Sequence, residues 1–342
     1  MDELDIFGEI RSIVNGAPDE DAWKVLCSLL ELEDDDCVRE ELVPYIEHHL
    51  EDWPDELRVA PESWGRVAAA GRDCARLLVA RKLDAIGRND DYDLKALLTS
   101  RDVARIEALD LGYNGFDERA LDAIEQSEHL GALRWLSVSD SKMGHESLIR
   151  IIRSPRLEKL THLIAAWCEI ENDGAVALQG VEELGRLTRI ELRGNRIRPP
   201  AAQVLLSSPH FGSCLELAVG WNDIADVGVV AIADSAYLGQ LQELCLENNS
   251  IEGWGVLELL KRPAIRNLEK LRLYNNQSTG LGDEIAVAVA TCPYLGNLRV
   301  LDLSGNSIGE RGRDALARSV TLHEDARGAM LGPSPQEPQD EE

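Results

Sequence analysis

A period of 27 residues runs through most of this chain and leaves it few folds to choose from. Its clearest unit reads LRVLDLSGNSIGERGRDALA, from Leu298 to Ala317. Leu298, Leu301 and Leu303 have the spacing of a short strand that buries one row, Asn306 and Ile308 take the chain round a corner, and Ala315 and Leu316 open an apolar helical face. The template, apolar at positions one, four and six and small and polar at nine, starts at Ile106, Leu133, Leu160, Leu187, Cys214, Leu241, Leu268 and Leu298. Successive starts differ by 27 six times and by 30 once, a regularity that unrelated hydrophobic runs do not produce.

The spacing has a physical cause. A strand with a returning helix cannot bury its apolar side until a copy stacks beside it. The ninth positions are Asn114, Ser141, Cys168, Asn195, Asn222, Asn249, Asn276 and Asn306. An Asn there satisfies backbone groups of the turn after the strand, and its loss leaves buried polar groups costing about 1–3 kcal/mol each. Ser141 and Cys168 depart from the rule, and Cys offers only a weak donor.

On these residues, from roughly Arg105 to Ser319, the chain resembles the leucine-rich repeat family, with repeat length most similar to the ribonuclease-inhibitor-like subfamily. The resemblance implies an α/β horseshoe solenoid, parallel strands on its concave side and helices on its convex side, that binds other proteins. An acidic helical segment ahead of the repeats is also similar in organisation to bacterial repeat proteins with an N-terminal companion domain.

Four parts are expected: an acidic helical domain (1–76), a degenerate capping repeat (77–105), eight repeats (106–324) and a disordered acidic tail (325–342). In the first part Leu4, Ile10 and Ile13, then Trp23, Leu26, Leu29 and Leu30, then Val38, Leu42, Val43, Ile46 and Leu50 have helical spacing. Gly16 to Asp19 and Asp34 to Asp36 separate these segments, and Pro54 ends the third. Ala68 to Val79 reads as helix, and Leu83 to Asn89 as a damaged repeat turn. Apolar helical faces are expected at Ala120, Leu121 and Ile124, at Ala175, Val176 and Leu178, and at Ile285, Ala286, Val287 and Val289. Pro199 and Pro200 suit a first helical turn. The seventh unit's three extra residues fall near Gln277 to Gly282, as a longer surface loop.

The net charge is −27, of which residues 1–60, with 19 acidic and 4 basic side chains, carry −15. Such a surface stays soluble and repels phosphate backbones and anionic lipid, so neither a nucleic acid nor a membrane is the expected partner. Seven cysteines, with no CxxC pair, point to reduced structural thiols and a cytoplasmic setting. The start, MDELDIFGEI, has no signal-peptide pattern, and no run approaches the roughly 20 apolar residues of a membrane helix. A monomer is the default expectation.

For chemistry the sequence offers little. It has no phosphate-binding G-x-x-x-x-G-K-[ST], no G-x-G-x-x-G after a strand, no H-E-x-x-H and no G-x-S-x-G, and no cofactor is expected. Repeat register puts Asp110, Ser137 and His162 on adjacent strands, but with Asp110 beside Ser137 rather than behind His162, the wrong order for a triad. The seven histidines have no metal-ligand spacing beyond adjacent His48 and His49.

What the register does present is a surface. Positions three, five and seven are expected to face outward, with position eight at the edge. This puts Tyr113, Trp135, His162, Ile164, Trp167, Trp221 and Tyr274 on the strand side, and Trp and Tyr are the usual anchors of protein interfaces. Arg189, Glu216, Glu243 and Lys270 form a charged row flanked by Glu191, Arg193, Glu247, Arg272 and Asp302. Two readings fit this row: lateral surface pairs worth about 0–1 kcal/mol each, or a polar border that selects a partner. The expected function is a non-catalytic protein-binding scaffold with Tyr113, Trp135, His162, Ile164, Trp167, Arg193, Trp221, Glu247 and Tyr274 in contact with the partner. The alternatives are a small-GTPase activator, which the resemblance in repeat type and acidic tail implies for some members, and a hydrolase using Ser137 and His162.

Overall fold

The computed structural model describes residues 6–87, 92–276 and 282–328. Asn89, the extra residues 277–281 and the tail beyond Gly328 lie outside them. The chain divides into two compact units, residues 1–141 with 150–160, and residues 142–149 with 161–342.

The first unit opens with helices. Asp19 caps helix Glu20–Leu30, its carboxylate accepting from Ala22 N at 2.7 Å, and Trp23, Leu26, Cys27, Leu29 and Leu30 are its buried stripe. Asp34 to Asp36, expected between helices, instead start one: Asp34 accepts from Cys37 N at 2.8 Å, and Asp35 and Asp36 form the first turn. Short acidic side chains at a helix start satisfy free N–H groups and oppose the helix dipole, so the run reads as a cap rather than a break. Helix Asp35–Cys37 passes through a π turn, Val38–Leu42, into helix Val43–His49, just where Pro44 brings no N–H donor.

Residues 58–60 then run extended beside strand β1 (Lys82–Asp84), with Ala60 N donating to Lys82 O at 2.7 Å and Arg81 N to Arg58 O at 2.8 Å. The Trp23 indole N–H donates to Val59 O at 2.7 Å and so occupies an outer carbonyl of this edge. Buried Arg58 is held by Val79 O and by Glu47, whose carboxylate also takes Arg81 and Arg105, each at 2.7 Å. Ala68 to Val79 is not one helix. Helix Glu62–Ala69 ends at left-handed Gly71 (φ +71°), and a 3-10 turn, Ala75–Val79, follows. Strands β1, β2 (Ala108–Asp110) and β3 (Trp135–Ser137) are parallel, with Leu83, Leu109 and Leu136 aligned in one buried row.

The second unit continues the pattern with β4 (His162–Ile164), β5 (Arg189–Glu191), β6 (Glu216–Ala218), β7 (Glu243–Cys245), β8 (Lys270–Arg272) and β9 (Val300–Asp302). They pair in parallel in chain order, with Leu163, Ile190, Leu217, Leu244, Leu271 and Leu301 in register and buried. The expected face of the seventh unit's helix, Gly282–Thr291, buries Ile285, Ala286 and Val289. In helix Glu171–Leu178 Val176 is 49% exposed while Gly174, Ala175 and Leu178 are buried, so this face is narrower than expected.

The ninth-position side chains do more than close their own turns. Asn249 Oδ1 accepts from Asn222 N (3.2 Å) and Ile224 N (3.4 Å) of the preceding repeat, while its Nδ2 donates to Val219 O (3.0 Å) and Leu246 O (3.2 Å). Asn222 and Asn276 repeat this bond set. Asn195 accepts from Cys168 N and Ile170 N but donates to Ala165 O and Arg193 O, and Asn306 Oδ1 accepts from Asn276 N at 2.9 Å. A second ladder caps helices: Asn172 accepts from Arg198 N (2.8 Å), Asp226 from Glu252 N (2.8 Å) and Gly253 N (3.0 Å), and Asp283 from Gly309 N (2.7 Å).

All seven cysteines are free, and six of them are buried. Burial pushes the thiols of Cys27, Cys74, Cys214 and Cys245 up to about 12, and that of Cys37 to about 11. At about pH 8, near the ordinary thiol value, the native protein should therefore react slowly with iodoacetamide at these positions and rapidly once unfolded in urea. Mass spectrometry of the labelled peptides checks this, and fast native labelling of Cys214 or Cys245 contradicts it.

Candidate functional site

The turn after each strand forces one backbone geometry. The eighth residues, Tyr113, Asp140, Trp167, Gly194, Trp221, Asn248, Asn275 and Gly305, all have positive φ, from +51° to +68°. Gly, Asn and Asp tolerate this region, whereas a bulky side chain there costs roughly 1–2 kcal/mol. Three of the eight are nevertheless aromatic. Tyr113 is 54% exposed and Trp167 42% exposed.

In the second unit the two tryptophans meet. Their ring centroids are 6.1 Å apart and the planes tilted by 52°, although the repeat between them intervenes. Gly194 makes this contact: a Cβ built on it would lie 2.2 Å from Cδ2 of Trp167, so the indole rests on bare backbone as it reaches across. The same device recurs one repeat on. Arg193 Nε approaches Glu247 Oε1 to 2.8 Å across Gly220, where a Cβ would stand 2.5 Å from the Glu247 carboxyl carbon. The contact is an ion pair without hydrogen-bond alignment. Burial pushes the Glu247 carboxyl above its usual range, and Arg193 opposes the push. Half-buried Tyr274 lies close enough to Trp221 and Glu247 to feel both, and burial followed by the Glu247 charge raises its phenol.

The expected contact residues thus separate. Trp167, Trp221, Tyr274, His162 and Arg193 keep exposed surface in the second unit, and Tyr113 and Trp135 do so in the first. Ile164 and Glu247 do not: Ile164 is buried and Glu247 is 0% exposed. For Ile164 the cause is its row. Its register partner Glu191 keeps a side chain only 12% exposed, and Ala218, Cys245 and Asp302 at the same position are buried. Asp110 and the long Arg272 at this position keep part of their surface, so the burial falls on the shorter side chains of the row. Glu247 is covered because it turns sideways over Gly220.

The charged row is paired internally. Arg189 meets Glu216 at 2.9 Å, Lys270 meets Glu243 at 2.9 Å, Arg193 meets Glu191 at 3.2 Å, and Ser304 donates to Asp302. Burial lowers the His162 imidazole below its ordinary value, and its Nδ1 lies 2.9 Å from the Thr161 hydroxyl. In the first unit Asp110 accepts from its own Gly112 N at 2.9 Å, and Ser137 Oγ sits 3.5 Å from Ser139 Oγ. Among the described residues no group of three or more His, Cys, Asp or Glu is placed to hold a metal ion, and no helix is long and apolar enough to cross a membrane.

Sequence reasoning missed the left-handed eighth position, although Gly194, Gly305, Asn248 and Asn275 at that place were its signature. It also missed Trp254, 51% exposed at the start of helix Trp254–Leu260, because the strand template does not reach that side of the repeat.

A family model described as "Leucine Rich repeat" matches residues 214–233 and 297–317, two stretches that each run from a repeat start through its strand and turn into the helix. These are leucine-rich repeats. No curated protein matches the chain. Among solved structures the chain is similar to an internalin, InlF, from Listeria monocytogenes, at 21% identity over 77% of each chain with a TM-score of 0.43. It is also similar to TLR13 in its complex with ssRNA13 (15% identity, 74% of this chain and 39% of that one, TM-score 0.40). Human 5T4, trophoblast glycoprotein, follows at 19% identity over 75% of this chain and 82% of that one, with a TM-score of 0.39.

Proposed function

We propose that this leucine-rich-repeat chain is a non-catalytic scaffold that binds a protein partner through the aromatic edge of its strand face, with Trp167 and Trp221 as the anchors. The observation that carries the reading is the placement of two tryptophans where the backbone asks for Gly or Asn, one of them still 42% exposed. The strain of the left-handed turn offsets what the stacked indoles contribute to net stability, and such strain is retained at binding sites. Trp and Tyr are also the commonest hot-spot residues. Tyr274 and His162 lie on the same strand face of the second unit, and in the first unit Tyr113 and Trp135 are candidate contacts in their own right. The internally paired charges form a polar rim that sets register.

A reducing, cytoplasmic location agrees with seven free cysteines, and the net charge of −27 favours a protein over a nucleic acid or membrane partner. The subfamily reading, ribonuclease-inhibitor-like, rests on the 27-residue period. The division proposed is a helical N-terminal domain over 1–76, a capping repeat over 77–105, repeats over 106–324 and an acidic tail.

The test is a partner captured from the native cell lysate by the wild type and then titrated against Trp167→Asn with Trp221→Asn. Asn suits the left-handed turn, so lost stacking, about 0.5–1.5 kcal/mol, is offset by relieved strain, and the melting curve should hardly move. Partner affinity should fall at least about tenfold. Unchanged affinity assigns the tryptophans a structural role. A partner whose GTP hydrolysis the protein accelerates replaces the scaffold reading with a regulatory one.

A further inference from the structure

The helical region of the first unit carries a second surface, unconnected with the aromatic edge. A cleft of about 630 Å³, well inside the usual range for binding clefts, lies against helix Glu20–Leu30. Along the helix its wall is Glu20, Trp23, Cys27 and Glu31, a single stripe at helical spacing about 16 Å long. The facing wall is Leu57, Val59 and Pro61, with Glu56 at the rim. The floor is apolar and the rim acidic: Glu20, Glu31 and Glu56 are exposed. Glu31 Oε1 accepts from the Ser63 hydroxyl and the Trp64 indole, and Lys24, the cation among the described lining residues, is already paired with Glu20 at 2.8 Å.

We propose that this cleft receives a basic amphipathic helix of a partner protein, its apolar side between the two walls and its Lys and Arg residues over the rim. Charge complementarity selects this occupant, since residues 1–60 carry −15. The chain's own tail cannot fill the site on these terms, because residues 331–342 contain four acidic side chains and no basic one. An added β-strand is also disfavoured, because the Val59 carbonyl on the outer edge is taken by Trp23.

The probe is a labelled Leu/Lys peptide of about 18 residues, long enough to be helical when bound, against a scrambled peptide of the same composition with no apolar face. Both are titrated by fluorescence anisotropy into the full-length protein. The amphipathic peptide should bind at least about tenfold more tightly than the scrambled one, and salt raised from about 0.1 M to about 1 M should weaken it. Ser28→Phe, at an exposed position on the cleft wall, should reduce its affinity about tenfold, and Glu56→Lys about threefold. Trp167→Asn with Trp221→Asn should leave it unchanged, so failure here and failure of the aromatic-edge reading are separable. Equal binding of the two peptides, no binding, or full affinity in both Ser28→Phe and Glu56→Lys overturns the proposal. So does a wild-type dimer that Ser28→Phe dissociates, which would place a second copy in the cleft.

Discussion

Asn249→Ala is expected to remove about 4 kcal/mol of stability, more than any surface substitution on this chain. The side chain is fully buried, and its loss takes the acceptor from the N–H groups of Asn222 and Ile224, while the carbonyls of Val219 and Leu246 keep the amides of Asn222 and Asn276. Each buried group left unsatisfied costs about 1–3 kcal/mol, and some relaxation or water entry recovers part of the sum. Asn249→Asp keeps the acceptor and loses the donor, so it should fall between wild type and Ala. Urea titrations of the three proteins decide it. If Asn249→Ala is destabilised by less than about 1 kcal/mol, the ladder is not a major source of repeat cohesion.

Arg193→Met should cost about 3–5 kcal/mol near neutral pH, because it takes from the buried Glu247 carboxylate its ion-pair partner, leaving only the weaker influence of Arg272. The deficit should shrink as pH falls, and the sign follows from the direction of the shift. Burial raises the Glu247 carboxyl in the folded protein, and losing Arg193 removes the main opposing influence, so the variant raises it further. A carboxyl that holds its proton more tightly when folded contributes most below its unfolded value, roughly 4.3. That contribution is lost as pH rises through the folded value. Stability of Arg193→Met relative to wild type, measured in urea at about pH 7.5 and about pH 5, should therefore improve at the lower pH. The double variant Arg193→Met, Glu247→Leu should regain most of the loss at both, since well-packed apolar replacements of a buried pair are often neutral. A deficit independent of pH would mean that Arg193 acts through packing alone.

The repeat period and the buried rows were legible because stacking copies must repeat the same residues at the same places. Leu163, Ile190 and Leu217 could be named as core before any coordinates, and Asn195, Asn222 and Asn249 as turn residues. What a one-repeat template could not see was any contact longer than one repeat. Glu247 was expected to face a partner because its position faces outward, but the vacancy over Gly220 lets it lie flat and buried. The Trp167 and Trp221 edge was legible, while the stacking across Gly194 was not. In the helical region the obstacle was different. The edge segment 58–60 pairs with β1 through backbone groups alone, which leaves no mark on side-chain periodicity, and Asp34 to Asp36 served as a helix cap where a polar run suggested a loop.

Solenoid stability is ordinarily written as a chain of links, each unit's cohesion depending on the one before and the one after. Gly194 and Gly220 break that accounting. Trp167 with Trp221 ties the third repeat to the fifth, and Arg193 with Glu247 ties the fourth to the sixth. The two ties interlock, so opening any one of these four units disturbs a contact that bypasses its neighbour. Fraying from the C-terminal side should accordingly halt before the sixth repeat, where the zipper becomes a braid. Amide exchange should show β4 to β7 sharing one opening free energy, with β8 and β9 exchanging ahead of them.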